Sequence, residues 1–354
     1  MKHLIIALAA SAILMTSGMA QRIGVTLSAF EHQFLVKVKE AMTEKAKELG
    51  VQIQFMEAQG DIGKQLNQIQ TFMSQGIDAI IVNPVDTTAT PKMTKLVTGA
   101  GIPLVYVNLQ PAEETLPKGV AYVGSEEIVS GKLQGEGIAK LLNNKGNIVI
   151  MMGELATQAA VLRTEGVEKV VAQHPEMKIV GKQTANWRRN EAIDLMNNWL
   201  VAGTKIDAVV ANNDEMAIGA ILALQQAGKD VKKVVIAGID ATADALAEME
   251  KGNLDLTVFQ DAKGQGKGAV ETAVKLIKGE KVESFVWIPF ELVPRRTTRN
   301  TSTGDAGLRR GKTTAAQSLP FVALLLVSPA RPACRRRHTS REIGANGHSA
   351  TSVR

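Results

Sequence analysis

The 354-residue chain is 45% hydrophobic, with a formal net charge of +6 and one cysteine. Residues 294–354 hold 12 Arg or Lys against 2 acidic residues, and with that segment and Lys2 set aside the rest has 28 basic and 33 acidic side chains. A mildly acidic body argues against nucleic-acid binding; and because the lone Cys334 lies in the basic segment, the body has neither a disulfide nor a thiol nucleophile and must be held by core burial, most naturally as two domains.

Residues 1–20 read as a secretory signal peptide. Lys2 and His3 precede an apolar run from Leu4 to Met15, and Thr16-Ser17-Gly18-Met19-Ala20 puts small residues where a signal peptidase inspects, with cleavage after Ala20. The twelve residues of that run are too few to cross a bilayer, which takes about 20. No cysteine follows the cleavage point to take a lipid, so the sequence predicts a soluble mature protein in the periplasm.

From Arg22 to Val293 short β-branched runs alternate with longer amphipathic stretches. The runs include Ile80-Ile81-Val82, Pro103 to Val107, Asn147 to Met151, Ala208-Val209-Val210 and Val234 to Ala237. Their continuous apolar character suits parallel strands buried on both faces. Between them Phe34–Leu49, Ile62–Gln75, Gly131–Leu142, Gln158–His174, Glu191–Val201, Glu215–Ala227 and Thr242–Lys251 repeat apolar residues at helical spacing. The pattern predicts a doubly wound α/β protein, and its running through twice predicts two similar halves.

In open parallel sheets ligands sit beyond the carboxyl ends of the strands. Those positions are polar here: Asn83 and Asp86 after Val82, Asn108 after Val107, Asn212-Asn213-Asp214 after Val210, and Asp240 after Ile239. On residue type alone, Asp214 reads as the cap of the helix that follows, and Asp240 could serve the helix from Thr242 in the same way.

Several strings in the body carry a family resemblance: Val82-Asn83-Pro84-Val85-Asp86, the ten residues Ala211 to Ala220, Ala237 to Thr242, and Leu256-Thr257-Val258-Phe259-Gln260. They resemble the type I periplasmic binding proteins of the ribose-binding kind over nearly all of residues 22–293. Met151 to Leu155, Gln183 to Trp187 and Trp287 to Val293 resemble the rhizopine- and inositol-binding branch more than the ribose branch.

The resemblance implies two doubly wound parallel-sheet lobes joined by a three-strand hinge with crossings near Ser125, Gln260 and Pro289. The N-terminal lobe comprises residues 21–125 plus 261–289, and the C-terminal lobe 126–260 plus 290–293. It implies a non-enzymatic solute-binding protein of an ABC importer, taking a sugar or cyclic polyol by hinge closure, without metal or cofactor. Its partners are the transporter permease subunits and, as a second reader, a chemoreceptor; the protein works as a monomer. Another monosaccharide or a linear polyol is the alternative ligand.

By the same resemblance, Arg163, Asn213, Asp240 and Gln260 make polar ligand contacts, joined by Asn108 and Asn83 from the first lobe. Phe34 and Trp187 form the walls, with Phe30 as a further candidate. An arginine guanidinium can donate two parallel hydrogen bonds to neighbouring hydroxyls, and a carboxylate can accept two. The residue after Asn108 is Leu109 where the family commonly has arginine, and the ribose branch has aspartate where Asn108 stands, so ribose is disfavoured. His32, in the loop between Phe30 and Phe34, could touch ligand, although a loop histidine is more often exposed.

Other motifs fail on spacing. Gly311-Lys312-Thr313 lacks the earlier glycine of a phosphate loop, with Ala306 in its place, and neither Gly264 to Gly268 nor Gly135-Glu136-Gly137 has dinucleotide spacing. A sugar-responsive repressor needs a DNA-reading helical domain before the core, which here starts directly after the signal. A sugar-acting enzyme lacks a recognisable nucleophile and base. Residues 294–354, Arg-rich and without periodicity, read as a disordered basic tail of the kind a frameshift produces.

Overall fold

The computed structural model describes residues 20–295. Almost all of the expected signal peptide and of the basic tail lies outside the described residues.

The first part of the chain runs β1 (Arg22–Leu27), α1 (Gln33–Leu49), β2 (Gln52–Glu57), α2 (Ile62–Ser74), β3 (Ala79–Val82), α3 (Thr90–Gly99), β4 (Leu104–Asn108) and β5 (Val120–Gly124). The second runs α4 (Glu127–Leu141), β6 (Lys145–Met152), α5 (Gln158–Val171), β7 (Glu176–Thr184), α6 (Arg189–Val201), β8 (Ala208–Ala211), α7 (Asp214–Gln226), β9 (Val235–Ala237), α8 (Ala243–Lys251) and β10 (Leu256–Gln260). The chain then closes with α9 (Ala262–Ile277), β11 (Phe285–Trp287) and β12 (Phe290–Pro294).

These strands form two six-stranded sheets, ordered β11-β5-β4-β3-β1-β2 and β12-β10-β9-β8-β6-β7. All pairings are parallel except β10 with β12. The chain therefore passes between sheets three times: after β5, after β10 and between β11 and β12. Two doubly wound lobes follow, as the alternation of runs predicts.

Every residue of β3, β4 and β5 is buried, because helices cover both faces. Side chains alternate across the sheet. Ile81, Val105 and Val107 meet Val38 and Met42 of α1 and Val270 of α9, while Ile80, Val82 and Leu104 meet Phe72 of α2 and Met93 and Val97 of α3. The second sheet does the same. Ile148 and Ile150 face Val167 and Val170, and Val149 and Met151 face Met196 and Ile221.

Two boundaries differ from the sequence pattern. Helix α4 starts at Glu127 rather than Gly131, since its first turn buries the polar Glu127 and Ser130 instead of an apolar stripe. Strand β12 continues to Pro294, one residue beyond the expected limit of Val293, and Arg295 still pairs with Asp255 at 3.0 Å. Proline is tolerated there because β12 is an edge strand.

Candidate functional site

A cavity of about 310 Å³ opens between the lobes at the carboxyl ends of their strands. It is lined by Phe34, Asn83 and Asn108 from the first lobe and by Arg163, Trp187, Asn213, Asp240 and Gln260 from the second. These are eight of the nine residues singled out from sequence. The ninth, Phe30, does not line it; its ring lies under the Lys39 ammonium, 3.9 Å from Nζ to ring centroid. The loop before α1 turns Phe30 toward that helix while Phe34, within the first turn, faces the cavity.

Arg163 is the centre of the polar network. Its Nε donates to Glu127 Oε2 at 2.6 Å, Nη1 to the Asn212 carbonyl at 2.7 Å and Nη2 to Gln260 Oε1 at 3.3 Å. Helix α4 delivers Glu127 because α4 and α5 touch backbone to backbone: a Cβ on Gly131 would lie 2.0 Å from the Arg163 carbonyl oxygen. The guanidinium also sits 5.5 Å from the Trp187 ring and 5.9 Å from that of Phe290. Burial works against its charge, but the Glu127 carboxylate beside it more than compensates, and its pKa is raised.

Trp187 is held as a wall by its backbone. Asn186 and Trp187 both have positive φ, 50° and 63°, an uncommon state for a bulky residue. The Trp187 carbonyl accepts from Asn213 Nδ2 at 3.2 Å, and the indole packs so tightly on Gly153 that a Cβ there would fall 2.0 Å from the ring.

Asp240, 8% exposed, lies next to this network. Burial pushes its carboxyl well above the usual carboxylate range; Arg163 pulls it back and Asp214 pushes it further up. A ligand that donated hydroxyl hydrogens would favour its charged form. Two other cavity residues hold buried polar atoms with no partner among the described residues, Gln260 Nε2 and His32 Nε2. His32 therefore faces the cavity rather than standing exposed, and burial lowers its pKa, so it is a neutral imidazole near pH 7.

Asn83 is fully buried, and its amide is spent inside its own lobe. Its Oδ1 accepts from Ser28 Oγ at 2.7 Å, and its Nδ2 donates to Asn108 Oδ1 at 3.2 Å. Asn83 thus orients Asn108, whose φ of 67° turns the chain at the end of β4. Asn213 is the helix cap, its Oδ1 accepting from Met216 N at 3.0 Å. That corrects the reading of Asp214 as the cap. Asp214 is the first helical residue and braces the Asp240 loop, accepting from Thr257 Oγ1 at 2.7 Å and Thr242 N at 2.8 Å. The helix from Ala243 is capped by Thr242, not Asp240.

The rim also carries residues the sequence did not single out: Glu31, Glu154, Arg188, Arg189 and Glu215. Arg189 pairs with Glu215 at 2.9 Å, and Arg188 reaches Glu31 of the other lobe at 3.9 Å. Burial raises the pKa of Glu154, partly offset by Arg188. Nothing in their spacing distinguishes such residues from solvated charges.

Two doubly wound lobes enclosing a cavity with polar edges and aromatic walls define a two-lobed solute-binding protein. A family model described as periplasmic binding protein domain matches residues 23–281. The chain belongs to that family.

A Rhizobium meliloti protein named for rhizopine binding is 52% identical over 299 residues, covering 83% of this chain and 97% of that one. An ABC transporter solute-binding protein from Bacillus halodurans C-125, solved with bound myo-inositol, is 48% identical with a TM-score of 0.74, covering 78% of this chain and 94% of that one. The Caulobacter myo-inositol binding protein bound to myo-inositol is 28% identical, also at a TM-score of 0.74, covering 79% and 95%.

Proposed function

We propose that this chain is the periplasmic solute-binding component of an ABC importer and takes an inositol-like cyclic polyol between its lobes. The observation that carries the reading is the division of labour in the cavity. Arg163, Asp240, Gln260, Asn108 and Asn213 offer hydrogen-bonding groups for a ring's edge, and Phe34 and Trp187 offer apolar faces for its C–H surfaces. Hydrogen bonds to charged partners contribute about 1.5–3 kcal/mol each, so Arg163 and Asp240 set specificity. Likeness to myo-inositol-bound proteins and to a rhizopine-binding relative supports this class of ligand.

In this reading the signal at residues 1–20 exports the protein, which works as a monomer and presents its closed form to the permease subunits. Isothermal titration of the full-length mature protein with myo-inositol, scyllo-inositol, ribose and xylitol tests the ligand. One-to-one binding of an inositol, weakened at least tenfold by Asp240→Ala, is the expected outcome. Binding of ribose alone would move the ligand class and point to Asn108 and Leu109; turnover of any of these polyols would replace the reading with an enzyme.

A further inference from the structure

The two lobes meet through one residue that the cavity does not use. Thr87 follows β3 in the first lobe and is 3% exposed. Its N–H donates to the Ala156 carbonyl at 3.1 Å, and its Oγ1 lies 3.2 Å from that same oxygen. The Gln158 N–H donates to Thr87 Oγ1 at 3.0 Å. Ala156 and Gln158 belong to the second lobe.

Gln158 is the first residue of α5, the helix that carries Arg163. The first N–H groups of a helix have no partner within it and are usually met by a side chain at the capping position. Thr157 occupies that position and does not cap, its hydroxyl donating instead to the Glu154 carbonyl at 2.7 Å. The opposite lobe supplies the missing acceptor. Thr87 is held firmly for the task, because Asp86 Oδ1 accepts from Thr88 N at 2.8 Å and Thr90 Oγ1 donates to the Thr87 carbonyl at 2.7 Å.

We propose that Thr87 is a closure latch, a positioning residue whose hydroxyl caps the Arg163 helix from across the cleft only when the lobes are together. The proposal rests on the reading of the cavity as a site closed by two lobes. Opening leaves the Gln158 N–H and the Ala156 carbonyl to water, so the latch acts mainly on how long the closed form lasts. A second cross-lobe contact, Arg188 with Glu31, is longer and solvent-exposed and contributes little.

The test uses the full-length protein, with amide exchange followed by NMR and myo-inositol release followed by stopped flow. In wild type saturated with myo-inositol the Gln158 amide is protected. Thr87→Val, which keeps the shape and deletes the hydroxyl, abolishes that protection and speeds release on the order of tenfold. Thr87→Ser restores both. Gln158→Pro removes the donor itself at a position where a helix accepts proline, and it speeds release like Thr87→Val. Unchanged release in both Thr87→Val and Gln158→Pro, or a Gln158 amide equally protected in Thr87→Val, overturns the latch. If wild type takes no myo-inositol, the ligand reading fails by itself. The latch is then decided by Gln158 exchange in protein saturated with whichever of scyllo-inositol, ribose or xylitol the wild type binds, where equal rates in wild type and Thr87→Val overturn it.

Discussion

Arg163 and Glu127 form a buried ion pair at 2.6 Å that ties α5 to α4 beneath the cavity. Neither side chain has useful contact with water, at 5% and 0% exposure, so each depends on the other for its charge. Removing one partner of such a pair strands the other, at a cost of about 3–5 kcal/mol. Glu127→Ala is expected to lower stability by that amount in urea unfolding and to weaken polyol binding, although Glu127 does not line the cavity. A variant of unchanged stability would mean that Arg163 finds another partner.

Gly153 sets the place of the Trp187 wall. A methyl group there collides with the indole, and the strained turn at Asn186 and Trp187 leaves the ring little room to retreat. Gly153→Ala should therefore shift the tryptophan emission and weaken polyol binding at least tenfold, while lowering stability by about 1–3 kcal/mol, the usual range for overpacking. Binding that survives intact would show that Trp187 is not a wall of the site.

Much of this was legible in the sequence. Strands buried on both faces announce themselves as unbroken apolar runs, and polar residues directly after them marked Asn83, Asn108, Asn213 and Asp240. What escaped was anything that depends on contact between distant segments. Asn83 and Asn108 look equivalent in sequence, yet one is consumed in orienting the other. Glu127 falls before the helix start that the sequence pattern places at Gly131, and only the glycine-mediated approach of α4 to α5 makes it the partner of Arg163. Phe30 and Phe34 are four residues apart in the same loop-to-helix segment, and a change of direction at the helix start sends one to the cavity and the other to Lys39.

Asp240 gives binding a pH dependence. Its carboxyl is held well above the usual carboxylate range by burial, which favours its protonated form in the ligand-free protein. Hydroxyl donors from a polyol favour the carboxylate, and binding then releases protons. Affinity should rise with pH above the usual carboxylate range, and titrations in buffers of different ionisation enthalpy should report net proton release. Asp240→Asn should remove both effects. Affinity that falls with rising pH would contradict this role.

Asp214 gives stability a pH dependence of its own. Burial raises its pKa from 3.8 to about 7, against the hydrogen bonds from Thr257 and Thr242 that pull it down. An acid with a raised folded value holds more protons folded than unfolded between the two values. Its contribution is therefore most favourable below 3.8 and declines as pH rises toward about 7, by at most roughly 1.4 kcal/mol per pH unit. Between about pH 5 and about pH 7 the ligand-free wild type should lose urea resistance. Asp214→Asn cannot titrate and should lose less over the same interval. Equal losses in the two proteins would show that the Asp214 carboxyl keeps its charge in the fold.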